Sequence, residues 1–125
     1  MPKRVSPTEA KTLLDQGWAY VDVRTEEEFA GGHPEGAYNV PIGDSLVAAM
    51  ERLFGDKSAK VVIGCQAGGR SLRAATALEQ SGWTNIVDQR AGFGGNATEA
   101  GWAAAGLPTS RTPEPGRSWK EIASK

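Results

Sequence analysis

Apolar residues in this chain keep two different rhythms. In four places they gather into short runs: "WAYVDV" at 18–23, "AYNVP" at 37–41, "KVVIG" at 60–64 and "TNIVDQ" at 84–89. Runs of this length, rich in β-branched and aromatic residues and ended by Gly, Pro or Asn, predict buried strands. Between them the apolar spacing widens to that of a helix. "SPTE" at 6–9 opens the first helix, with Ser6 as N-cap, Pro7 in the first helical position and Glu9 reaching back; Leu13 and Leu14 supply its apolar side, and it ends near Gln16 before Gly17. "TEEEFAGGH" predicts a single helical turn with its acidic residues at the positive end of the dipole. "DSLVAAMERLFG" places Leu46, Val47, Met50, Leu53 and Phe54 on one side, with Gly55 after the end. "SLRAATALEQSG" predicts a helix after the third run, and a further helix is expected around Ala97–Ala105. Strands that alternate with helices imply βαβ units. The expected fold is therefore α/β, a small parallel sheet of about five strands flanked on both faces by helices.

The pattern changes near Gly106. Pro108, Pro113, Pro115 and Gly116 mark an extended segment, and "SWKE" at 118–121 repeats the capping-box spelling. Eight residues are too few to hold a helix alone, so this end must dock or fray. The organisation expected is a domain over 1–109 and a Pro-rich tail over 110–125, docked on the domain or at a dimer contact; monomer and homodimer both fit.

Composition narrows the function by exclusion. The chain has 125 residues, a formal net charge of −1 and 23% charged residues. That balance offers no electrostatic footprint for nucleic acid or an anionic membrane. No apolar stretch approaches the roughly 20 residues of a spanning helix, and none follows the basic N-terminal residues as a signal peptide would. Cys65 and His33 are each unique, so neither an internal disulfide nor a Cys/His metal site is expected, and no cofactor is implied. A reducing, cytoplasmic compartment is the expectation.

Cys65 carries the candidate chemistry. It follows the last residue of the "KVVIG" run and begins "CQAGGRS", which leads into the helix. In α/β sheets ligands bind at the carboxyl edge of the strands, at such a strand–turn–helix junction. If Gln66, Ala67, Gly68, Gly69, Arg70 and Ser71 curl around the sulfur, their backbone N–H groups form an anion nest. Gly68 and Gly69 are expected to allow positive φ and close approach of a substrate. The nest, the helix dipole and Arg70 all favour negative charge on sulfur, which would lower the thiol pKa from its usual value near ~8.5. Arg70 either binds an anionic donor or locks the loop through carbonyls and acidic side chains. Cys65 is the expected nucleophile, and the six following residues are the expected substrate cradle.

The loop is not alone. "YVDVRTEEEFAGGHPEGAYNVP" at 20–41 and "GWAAAGLP" at 101–108 stand in the same order as three signatures of one family. Over roughly residues 5–109 the chain resembles a single-domain rhodanese. The resemblance implies a sulfurtransferase: Cys65 takes the sulfane sulfur of thiosulfate, a polysulfide or a low-molecular-weight persulfide, holds it as a persulfide, and passes it to a thiophilic acceptor, a small thiol or a protein. A partner-dependent carrier or sensor module is the alternative. A Cys-dependent phosphatase or arsenate reductase is a further one, although phosphate-cleaving relatives carry one more residue between Cys and Arg, and the four here make a smaller ring.

The resemblance also places Asp22 and Arg24 at the edge of the site, read here as structural, with an ion pair between Arg24 and an acidic neighbour. His33 is read as pinning the Gly31–Gly36 turn, since attack by a thiolate needs no base. Arg73 and Arg90 are read as surface charges, and Trp18, Trp83, Trp102 and Phe29 as packing. Asn96–Gly101 looks like a small insertion at the pocket rim.

Overall fold

A computed structural model describes residues 2–124. Its centre is a five-stranded, wholly parallel sheet in the order β1-β6-β5-β2-β4. The strands are β1 (Lys3–Val5), β2 (Ala19–Asp22), β4 (Tyr38–Asn39), β5 (Val61–Gly64) and β6 (Ile86–Gln89). The apolar runs predict four of these. The fifth, β1, is a three-residue edge strand with two basic residues and no apolar run to announce it, and it holds its place only by pairing with β6 from Lys3↔Val87 to Val5↔Gln89.

Helices α1 (Pro7–Asp15) and α2 (Glu26–Ala30) lie on one face, and α3 (Leu46–Phe54), α4 (Gly69–Gln80) and α5 (Trp119–Ala123) on the other. Alternation along β5 divides the two cores: Val61 and Ile63 pack with Ala74, Ala75 and Leu78 of α4, while Val62 packs with Ala10 of α1. All three are fully buried, each contributing roughly 1.5–3 kcal/mol. The caps expected on α1 and α3 form, and α2 gains one that was not expected. Ser6 and Glu9 close a capping box on α1, Thr25 and Glu28 close another on α2, and Gly55 ends α3 in the left-handed conformation at φ 71°.

The helix expected around Ala97–Ala105 does not form; the segment is a series of turns. The backbone N–H groups of Trp102 and Ala103 donate to the Gly92 and Phe93 carbonyls, and the Asn96 side chain accepts from the Thr98 and Glu99 N–H groups. With those groups committed elsewhere, a single i to i−4 bond forms, from the Ala105 N–H to the Gly101 carbonyl, and no helix extends from it.

The last residues run back over the domain. Strand β7 (Thr109–Ser110) pairs antiparallel with β3 (His33–Pro34). The Arg117 carbonyl accepts from the Asn39 N–H, and its guanidinium donates to the Gly36 carbonyl and lies over the Tyr38 ring. Ser118 caps α5, whose Ile122 is 3% exposed within the core shared with α3 and α4. No helix among the described residues is long and apolar enough to cross a membrane.

Candidate active site

The carboxyl ends of the parallel strands converge on Cys65, one residue beyond β5 and 2% exposed. The loop curls around it. The Gly68 N–H points at the sulfur with N···S of 3.1 Å, and the Ser71 hydroxyl lies 3.4 Å from it, in the first turn of α4. Burial pushes the Cys65 thiol up. The Ser71 hydroxyl and the backbone N–H groups of Ser71, Gly68 and Ala67 outweigh burial and hold the pKa below the ordinary thiol value. The expected nest is therefore built by Ala67, Gly68 and Ser71.

Gly68 and Gly69 are not equivalent, contrary to expectation. Only Gly68 adopts positive φ, at 105°; Gly69 is already the first residue of α4. Gly68 also packs onto the Arg90 backbone, where a Cβ would overlap the carbonyl oxygen and stand 3.1 Å from its carbon. The glycine-rich stretch after β6 supports the loop from the other side. A Cβ on Gly92 would come to 2.7 Å from the Ala67 nitrogen, and one on Gly94 to 2.9 Å from Cδ of Gln66. These glycines are small because the cysteine loop lies against them.

Of the cradle residues, Gln66, Ala67 and Gly69 are exposed at the mouth, and Arg70 is half-buried. Arg70 makes a bidentate ion pair with Glu28 of α2, at 2.8 and 2.9 Å. That pair raises the Arg70 pKa and pulls Glu28 down to about 2, chiefly through the Arg70 hydrogen bonds. Of the two roles read for Arg70, the locking role is the one observed. Glu28 is a site residue that the sequence alone does not single out. The Thr25–Glu28 spacing speaks only for the cap; that the same oxygen also reaches Arg70 is decided by the fold.

Arg24 is 3% exposed and grips Asp22 through Nε and Nη2, the shortest bond being 2.7 Å. Its remaining donors take the Gly32 carbonyl at 2.7 Å and Oε1 of Gln66 at 3.1 Å, and its Cζ lies 4.6 Å from the centre of the Phe93 ring. The buried pair Asp22–Arg24 thus orients the first residue of the cradle. His33 is fully buried, stacks on Phe29 and donates Nδ1–H to the Phe29 carbonyl at 2.8 Å, far from any role as a base. Trp83, Trp102 and Phe29 are buried, and Trp18 is half-buried beside the Val5–Ala10 core. Arg73 is exposed, while Arg90 is held by Glu99.

The Asn96–Gly101 segment lies against the cysteine loop. Asn96 donates to the Ala67 and Arg90 carbonyls, and Asn96, Thr98 and Glu99 line a cavity of about 350 Å³ with Arg4, Gly68 and Arg90, behind the loop.

The model of the rhodanese-like domain matches residues 6–96. Thiosulfate sulfurtransferase 16, chloroplastic, of Arabidopsis thaliana is 40% identical over 119 residues, an alignment covering 87% of this chain and 93% of that one. Thiosulfate sulfurtransferase GlpE of Haemophilus influenzae is 31% identical over 110 residues, covering 88% and 96%. Among solved structures, the human single-domain sulfurtransferase TSTD1 superposes with a TM-score of 0.64 at 28% identity, covering 74% of this chain and 92% of that one. A thiosulfate sulfurtransferase from Pseudomonas aeruginosa gives 0.75 at 22% identity, covering 98% of this chain and 24% of that one, and speaks for the fold. A parallel sheet that ends in a cysteine loop, matched over most of its length by such relatives, places this chain in the rhodanese-like domain family.

Proposed function

We propose that this protein is a sulfurtransferase in which Cys65 is both nucleophile and carrier of the transferred sulfur. The observation that carries the reading is the sulfur itself, at the mouth of β5, 3.1 Å from the Gly68 nitrogen and inside a ring of four residues closed by Arg70. Hydrogen bonds that hold the thiol pKa down keep a fraction of Cys65 as thiolate, the form that attacks. With thiosulfate as donor, the thiolate forms a bond to the outer sulfur while the donor's S–S bond breaks and its electron pair leaves on sulfite. The product is a Cys65 persulfide, with its charge on the terminal sulfur among the loop N–H groups. A thiophilic acceptor then takes that sulfur and restores the thiolate, a two-step covalent cycle.

The chain's other residues prepare the loop. Glu28 holds Arg70, Arg24 holds Gln66, and Asn96 holds Ala67, so the nest is ordered before a donor arrives. A polysulfide or a small persulfide fits the same chemistry as donor, and a small thiol or a protein thiol fits as acceptor. No step calls on a metal or organic cofactor.

The test is intact mass after incubation with thiosulfate, together with thiosulfate:cyanide turnover. The wild type is expected to gain one sulfur, about 32 Da, by persulfidation, and Cys65→Ser is expected to gain none and turn nothing over. Equal activity in the two proteins would refute the assignment.

A further inference from the structure

Behind the cysteine loop, on the face of the sheet covered by α4, lies a carboxyl group that the transfer chemistry does not use. Asp88 stands in β6 opposite Ile63 of β5 and opposite Arg4 of β1, and it is wholly buried. Its Oδ2 accepts from Arg4 Nε at 2.7 Å. Its Oδ1 has no hydrogen-bond partner among the described residues; burial raises the carboxyl pKa, and the Ser71 hydroxyl and the Arg4 guanidinium oppose that rise. Leaving a buried carboxylate oxygen without a donor is costly. The donor it lacks is one hydroxyl away from the reactive sulfur.

Ser71 has one proton and three acceptors around it. In the thiol form, Cys65 donates to Ser71 Oγ at 3.4 Å, and Ser71 donates onward to the Gly68 carbonyl at 3.3 Å. That carbonyl already accepts from Arg4 Nη2 at 3.2 Å, so the Ser71 proton is dispensable there. It is not dispensable to Asp88 Oδ1, nor to a thiolate. Tyr20 from β2 and Arg70 from α4 are the other titratable groups that act on the sulfur, Asp22 and Arg24 act on Tyr20 beside it, and Arg4 is the cation bonded to the Asp88 carboxyl.

We propose that Asp88 is a positioning residue that competes with Cys65 for the Ser71 proton and thereby sets the balance between the free thiolate and the persulfide. In the free thiolate the charge sits on Sγ, which draws the Ser71 proton and strips Asp88 Oδ1. In the persulfide the charge moves one bond outward, Sγ becomes neutral, and the proton swings back towards Asp88. Asp88 therefore raises the free energy of the thiolate relative to the persulfide and favours the loaded state. The hydroxyl rotates without giving up its proton, so the balance of the transfer step is unchanged. The persulfide half of this inference rests on the proposed sulfurtransferase reading; the proton-sharing half does not.

Asp88→Asn tests it with a defined sign. The amide oxygen keeps Arg4, the amide N–H₂ donates to Ser71 Oγ, and the Ser71 proton is freed for sulfur while a buried negative charge disappears. Each change favours thiolate. The pH profile of iodoacetamide alkylation should shift to lower pH, and the rate below the midpoint should rise about fivefold to tenfold, the equivalent of one hydrogen bond. At pH 9 and a fixed thiosulfate-to-sulfite ratio, the ratio of persulfide to free Cys65 read by intact mass should fall by a similar factor. Ser71→Ala, which removes the shared proton, should move both readings in the opposite direction, and it keeps the inference testable if the asparagine variant folds poorly. The inference is overturned if folded Asp88→Asn shows an unchanged or higher alkylation midpoint, or an unchanged or higher persulfide ratio. It is equally overturned if Ser71→Ala leaves both readings where they were. A wild type that takes up no sulfur would instead overturn the sulfurtransferase reading, while the alkylation midpoints would still decide the proton sharing.

Discussion

Gly68→Ala is the perturbation for which the structure makes the sharpest demand. Gly68 sits at φ 105°, in the left-handed half of conformational space, and its N–H is the backbone donor 3.1 Å from the Cys65 sulfur. The left-handed conformation costs an L-residue roughly 1–2 kcal/mol. The added methyl also overlaps the Arg90 carbonyl oxygen, which is backbone of the segment after β6 and cannot swing aside as a side chain would. The loop must then retreat by several tenths of an ångström or more, and the hydrogen bond to sulfur lengthens with it. Losing a hydrogen bond to a charged acceptor is worth about 1.5–3 kcal/mol, so the Cys65 pKa should rise by about 1–2 units. Total destabilisation should be about 2–4 kcal/mol once strain and overlap are combined.

The assays are a thermal melt and the pH profile of Cys65 alkylation, and the control lies next door. Gly69 has no atom within 4 Å of where its Cβ would stand and is helical, so Gly69→Ala should leave the melting temperature unchanged or raise it slightly. Adjacent glycines are thus predicted to respond differently, a loss at Gly68 and none at Gly69. A Gly68→Ala protein with wild-type melting and a wild-type alkylation profile would refute the reasoning about the nest.

Two other expectations follow from the packing. Glu28→Gln should lower stability at pH 7 by about 0.5–1 kcal/mol, a modest figure because the bidentate pair is about a third exposed and water screens it. Glu28 is held down to about 2 in the folded state. Its contribution is therefore complete above the unfolded value near ~4.3 and fades as pH falls towards about 2, so wild-type and variant denaturation midpoints should converge across that window. Ile122→Ala should cost about 2–3 kcal/mol by urea denaturation, since the side chain is 3% exposed in the core beneath α3 and α4; a change under about 0.5 kcal/mol would mean that α5 does not hold this position in solution.

The sequence by itself determined whatever is decided within one turn of helix or one strand. Ser6–Glu9 and Thr25–Glu28 spell their capping boxes because both partners lie three residues apart, and Gly55 ends α3 because the left-handed cap needs no distant partner. The apolar run Val61–Ile63 announced a strand covered on both faces, and the cysteine after it announced a loop at the carboxyl edge. Tertiary structure alone decided the rest. Lys3–Val5 becomes a strand only against β6, and the expected helix near Ala97–Ala105 gives way because its N–H groups find carbonyls at Gly92 and Phe93. Glu28 meets Arg70 across 42 residues, and Arg4 meets Asp88 across 84. These pairings carry no local signature, since either partner read alone is an ordinary charged residue. It is the closing of the sheet that puts them side by side, and with them the groups that govern the charge on one sulfur.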